Sequence, residues 1–295
     1  MDTSAIVSQI FNVISPLACI VLVAFFYARA RPTDMGVANR LNVNVFSPAL
    51  IFSVMSAKDF HIAQYVDLIL AASVVVLGSG LLVWPLCKVL KIAPKTFLPP
   101  MMFSNSANLG VPLIVLAFGD AALPVGIVLF LTGALLHFTV GMYMVNEKAN
   151  PLSILKNPMI IATIIGLIWS LQSWTLVPAL KIPVDMLGQI AIPLMLFALG
   201  VRMTSMDFSQ WKLGVISSII GPLASVIIAV IWQYFVGMSS EYFAYLLLFA
   251  CLPPAVLNYM IAEMYDQEPH KVASIVMIGN LMSLIIIPCV LFYVL

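Results

Sequence analysis

The sequence has little charge. Asp, Glu, Lys and Arg together make up 8% of its 295 residues against 63% hydrophobic ones, and the mean hydropathy is +1.11. An ordinary soluble domain is about a quarter charged, so a water-exposed globular fold is excluded and a polytopic membrane protein is implied. Histidine is scarce too, with three residues, and the four cysteines Cys19, Cys87, Cys251 and Cys289 form no CxxC pair and no metal spacing. They read as packing residues, and neither a metal nor a cofactor is expected. There is no HExxH, GxSxG or paired His/Cys arrangement, so an intramembrane enzyme would lack its acid, base, nucleophile or metal set. A net charge of +1, with no basic cluster interleaved with aromatics, argues against a nucleic-acid partner. No polar segment between apolar stretches is long enough to fold alone.

What is present is a succession of uncharged runs. Cutting the chain at its charges leaves ten: 3–28, 41–57, 68–87, 96–119, 121–146, 157–180, 186–201, 213–240, 242–262 and 272–295. Each has about the length of a membrane-spanning helix at 1.5 Å rise per residue. The first run is too long for a signal-peptide core and follows Asp2 rather than a basic segment, so it is read as a retained helix. Lys and Arg fall unevenly between the runs. The odd-numbered connections hold Arg29, Arg31, Arg40, Lys88, Lys91, Lys95, Lys148, Lys156, Arg202, Lys212 and Lys271, the even-numbered ones only Lys58 and Lys181. That bias predicts cytoplasmic odd connections, with both termini outside, in a cell (inner) membrane protein.

Two runs carry helix breakers near their middles. The fourth holds Asn108-Leu109-Gly110-Val111-Pro112, and the ninth holds Pro253-Pro254 followed by Asn258. In lipid a freed backbone group costs several kcal/mol, so such breaks survive only where protein or a watery cavity satisfies it. A matched pair of breaks points to a transporter's substrate site. Offsets of 145 or 146 positions bring the two into register, together with Asn12 and Asn157, Pro48 and Pro193, Asp120 and Asp266, and Gly133 and Gly279. A five-helix repeat is odd, so its second copy must enter the membrane in the opposite sense. The expected fold is therefore all-α, with ten transmembrane helices as a five-plus-five inverted repeat, residues 1–150 and 151–295, whose broken helices four and nine cross. Each break creates a half-helix N-terminus with partial positive charge and unpaired N–H groups, which favours an anion. Asn108 and Asn258 are suited to cap such an end and to hydrogen-bond a carboxylate. Gly110 permits close approach, and Pro112 removes a donor. Asn105 precedes the expected break by about one turn.

With Ser104-Asn105-Ser106-Ala107-Asn108-Leu109-Gly110-Val111-Pro112, the Pro48 segment, the Leu252-Pro253-Pro254 break and the final Ala273-Ser274 to Pro288 stretch, the chain resembles the auxin efflux carrier family over nearly its whole length. That resemblance implies a scaffold of spans one, two, six and seven beside a transport domain of spans three to five and eight to ten. It also implies a homodimer and an elevator-like movement. Only Glu147 to Lys156 separates spans five and six, so the chain looks like the compact prokaryotic members, which are associated with malate, malonate or lactate. The family is related in fold to bile-acid sodium symporters.

Bland readings stand beside the sharp ones. Pro48 and Pro193 alone would be kinks, and Asn105, Asn108 and Asn258 interhelical glue. His137 is the one titratable side chain well inside an apolar run, hence a candidate proton or substrate contact; the plain alternative is a neutral packing histidine. The resulting expectation is a secondary carrier for a small organic anion, with coupling to H+, to Na+ or to neither left open. Asn105, Asn108, Gly110, Pro112, Pro253, Pro254 and Asn258 would form its site. A sodium-coupled bile-acid-symporter-like carrier and a non-transporting sensor of the same ligand are the alternatives.

Overall fold

The computed structural model describes residues 3–147, 151–205 and 209–295. The first half contains α1 (Thr3–Ala30), α2 (Gly36–Leu41), α3 (Ser47–Met55), α4 (Val66–Leu90), α5 (Pro94–Met102), α6 (Val111–Phe118), α7 (Leu123–Leu136) and α8 (Met142–Val145). The second contains α9 (Pro158–Leu171), α10 (Pro178–Arg202), α11 (Trp211–Val236), α12 (Ser240–Ala250), α13 (Val256–Met264) and α14 (Pro269–Val294). Among the described residues, six uninterrupted helical stretches are long and apolar enough to cross a membrane: 4–30, 62–90, 120–145, 178–202, 211–236 and 269–294. The remaining apolar runs are divided among shorter helices. The protein is an all-helical, multi-pass membrane protein.

Among the described residues, three turns are wound wider than an α-helix, with π-helical spacing. They span Asn42–Phe46 between α2 and α3, Ser106–Gly110 ahead of α6, and His137–Gly141 between α7 and α8. The first two have an identifiable cause. A proline follows each by two residues, Pro48 and Pro112, and a proline ring collides with the carbonyl four residues back. Those carbonyls belong to Asn44 and Asn108, inside the widened turns. Widening the turn moves the carbonyl aside and keeps the helix going. Among the described residues the third wide turn has no proline close behind it.

The true breaks fall at 103–105 and 251–255. Phe103 is extended, with φ −103° and ψ 103°, and so is Ala255, with φ −66° and ψ 141°. The two segments cross and pair as a single antiparallel β-bridge between Ser104 and Pro254. Asn105 N–H donates to the Pro253 carbonyl at 2.7 Å, and Ala255 N–H donates to the Phe103 carbonyl at 2.9 Å. Side-chain amides complete the accounting. Asn258 Nδ2 donates to the Phe103 and Ala255 carbonyls at 2.9 and 3.0 Å, and Asn280 Nδ2 donates to Pro254 at 3.0 Å. Each break satisfies the groups the other frees, which is how irregular backbone persists in an apolar setting. Close approach is required on both sides: a Cβ on Gly279 would stand 2.6 Å from Pro254 Cδ, and one on Gly110 2.7 Å from Leu252 Cδ1.

Two sequence expectations are corrected here. The break in the fourth run lies at Asn105 itself, ahead of Asn108–Pro112, because the wide turn absorbs Pro112 into a continuing helix. The sixth run does not extend to Leu180. α9 stops at Leu171, and α10 begins at Pro178, a residue preorganised for a helix's first turn. Lys181 and Asp185 thus lie within α10 rather than in a connection. They form an i,i+4 ion pair at 2.5 Å, and Asp185 also accepts from Ser53 of α3.

The helices pack in two sets. α1 lies along α10, α10 along α3, and α3 along α9. α4, α11 and α14 form the spine of the other set, with α5, α7, α12 and α13 against them. Several seams within each set are close enough to need glycine. A Cβ on Gly200 of α10 would meet the Val21 carbonyl of α1 at 2.2 Å, and one on Gly214 of α11 the Ser274 carbonyl of α14 at 2.7 Å. Between the sets, α1 touches α6, and α10 touches the wide turn at 106–110.

Candidate functional site

A cavity of about 450 Å³ opens between the two helix sets, beside the crossover. Its size lies within the ~300–1,000 Å³ range of small-molecule sites. All three wide turns reach its wall, through Asn42 and Val43, through Ser106, Ala107 and Asn108, and through His137 and Phe138. Wide turns recur at functional sites because they expose backbone and re-aim side chains. The first residues of both half-helices line it as well, Ser104 to Asn108 on one side and Ala255 to Leu257 on the other. The first turn of a helix has N–H groups without intrahelical acceptors and a partial positive charge. Two such ends therefore point their fields at one space.

Arg202, the last residue of α10, is the sole charged side chain on this wall among the described residues, and no Asp or Glu lines it. Its guanidinium also rests 3.9 Å from Met260 Sδ. Asn42, Ser47 and His137 are all buried, and Asn42 Oδ1, Ser47 Oγ and His137 Nε2 lack hydrogen-bond partners. These are polar atoms on the wall with capacity to spare for a ligand. Positive ends, one cation and unspent hydrogen-bonding atoms together suit a small anion.

The expected residues divide by position. Asn105, Asn108 and His137 line the cavity. Asn105 also donates from Nδ2 to Asn280 Oδ1 at 3.1 Å. Gly110 and Pro112 are buried at the start of α6, outside the lining. Pro253 is a buried acceptor at the bridge, while Pro254 borders a separate cavity of about 20 Å³ with Ser104 and Ser225. Asn258 stands off the main wall. Its amide braces the crossover, and it shares a third cavity, of about 10 Å³, with His137. Sequence reasoning missed Arg202, Asn42, Ser47, Asn157 and Asn280. Asn42 and Asn280 carried a signal, being amides inside uncharged runs. Arg202 read as a connection charge because it ends one run, whereas the helix carries it onto the cavity wall.

The family model described as membrane transport protein matches residues 142–291, from α8 through the second break to α14. No curated protein matches the chain. Half of the sequence, including one arm of the crossover, fits that model, and the chain belongs to this family of membrane transporters, that of the auxin efflux carriers.

Proposed function

We propose that this transporter is a secondary carrier for a small organic anion, a mono- or dicarboxylate, bound beside the crossover. The observation that carries this reading is electrostatic. Two half-helix N-termini and Arg202 meet on the wall of one 450 Å³ cavity, and among the described residues no carboxylate lines it. A carboxylate there would accept from first-turn N–H groups and from the Asn105 and Asn108 side chains, with Arg202 on the facing helix set.

The substrate is carried by an elevator-like displacement of one helix set against the other. The set of α4, α5–α8 and α11–α14 is the mobile transport body, and α1–α3, α9 and α10 are the scaffold. The packing supports this division, since the glycine-tight seams at Gly200 and Gly214 each lie within one set. The same element order in each half, ending in a long helix, a broken helix and another long helix, supports ten spans in a five-plus-five inverted repeat, and the Lys and Arg bias of the connections supports both termini outside the cytoplasm. A homodimer joined through the scaffold completes the assembly.

The test is uptake of labelled malonate, malate and lactate into proteoliposomes, compared with Asn108→Leu protein of equal fold. Saturable uptake is expected for at least one of these acids and is expected to be lost in the variant. Uptake persisting in the variant with an unaltered KM sinks the site assignment. Absence of uptake for every acid in the native protein sinks the substrate class.

A further inference from the structure

Resting on the carrier reading above, we infer that His137 takes up the proton that travels with the anion, so that transport is a proton-coupled symport. The ring is placed for this role. His137 lines the large cavity and also the one of about 10 Å³ that it shares with Asn258, Thr96 and Lys95. That smaller space suffices for about one water molecule. It leads toward the start of α5, where the Lys95 side chain is 45% exposed. The imidazole thus stands in the partition between the anion's cavity and the protein surface.

The ring's chemistry is also unspent. His137 is 4% exposed and Asn258 3%, and both His137 Nε2 and Asn258 Oδ1 lack hydrogen-bond partners. A free imidazole nitrogen accepts a proton, and an amide oxygen accepts the N–H so formed, directly or through one water. The ring is also fixed in place, stacked on Phe103 at 4.3 Å between centroids and 6° between planes. The aromatic face favours a cationic partner, and the Phe103 carbonyl is itself an acceptor in the crossover.

The charges around the ring favour the same role. α5 contributes Lys95, paired with Glu147 at 3.1 Å, and α10 contributes Arg202. α13 contributes Asn258, Ile261 and Ala262, none of them charged, and the turn at 151–156 ends in the exposed Lys156. Among the described residues no carboxylate lines either cavity. A proton on His137 is therefore balanced by the incoming anion, and the anion is held better beside a proton. Such linkage is reciprocal. In the loading step H+ adds to the Nε2 lone pair to give imidazolium as the carboxylate binds. On release the proton returns to water and the carboxylate leaves.

Native and His137→Gln protein are compared in proteoliposomes with labelled malonate. In the native protein a gradient of one pH unit should support accumulation of up to ~10-fold per coupled proton, since 1.4 kcal/mol is tenfold. In the variant, which loses a polar group of the cavity wall together with the proton site, accumulation should fall to ~1-fold. Gradient-driven accumulation retained in the variant overturns the inference. Native protein alone gives an answer that does not depend on the variant's folding. Malonate added in weak buffer with a pH-sensitive dye should draw about one proton per bound anion. Malonate binding without proton uptake overturns the coupling and leaves the carrier reading standing, whereas no transport of any acid brings down both.

Discussion

Asn108 and Asn258 are both amides in apolar stretches, yet they do different work. Asn108 is half-buried on the cavity wall, whereas Asn258 is spent on two main-chain carbonyls, Phe103 and Ala255. Replacing Asn258 with Leu withdraws a buried donor from each. The expected cost is about 1–3 kcal/mol, read as a lower thermal midpoint in detergent by tryptophan fluorescence; an unmoved midpoint would mean the brace is idle. Arg202→Gln tests the charge on the cavity wall. A lost charge-assisted hydrogen bond is worth about 1.5–3 kcal/mol, which is roughly tenfold or more in KM. Lysine at the same position should recover part of it, and a KM that stays put would remove Arg202 from the anion's contacts. Amides buried in apolar runs were legible as notable from residue type alone. Their division between wall and brace was not, because it depends on which way each faces once the two breaks cross.

Helix breakers announced both interruptions, and the second lies where Pro253 and Pro254 put it. The first was read one turn late. Gly110 and Pro112 look like the stronger breakers, but a widened turn accommodates Pro112, and the chain instead opens after Pro99 and Pro100. Nothing local distinguishes a proline that breaks from one that a wide turn absorbs. The connection between α13 and α14 was invisible for a similar reason, since its partners come from α5. Thr96 Oγ1 donates to Glu268 Oε2 at 2.6 Å, Gln267 Nε2 donates to Thr96 Oγ1 at 3.0 Å, and Lys271 pairs with Glu268. The Lys271 hydrogen bond, then that of Thr96, holds the Glu268 carboxyl below the ordinary carboxylate range. Stability from a depressed carboxyl is present above its unfolded value and is lost as pH falls through its lower native value. Glu268→Gln should therefore lower the thermal midpoint at neutral pH and flatten its decline on acidification. Parallel curves for the two proteins would show that the network carries no such linkage.

For the whole molecule, a composition with 8% charge pointed to the membrane, and uncharged runs as long as a spanning helix pointed to helices, which satisfy their backbone in lipid within one segment. The grouping of helices was not legible, since it depends on contacts between residues far apart in sequence. If the two sets move against each other, a cysteine pair bridging α1 and α6, in a protein freed of Cys19, Cys87, Cys251 and Cys289, should arrest uptake on oxidation and release it on reduction. A bridge between α1 and α10, within one set, should leave uptake intact; arrest by that bridge as well would argue against the proposed seam.

The bridge between Ser104 and Pro254 also constrains how the protein is made. The segment at 103–105 leaves the ribosome roughly half a chain before its partners at 253–255. Until they arrive, the Phe103 carbonyl and the Asn105 amide have no main-chain partner across the crossover, and bare lipid offers none. The first half must therefore wait in a hydrated or chaperoned setting, and the segment that follows α11 closes the site. A truncation ending after α11 would leave that gap permanently open, so quality-control proteases should recognise such a chain even though most of its helices are already in place.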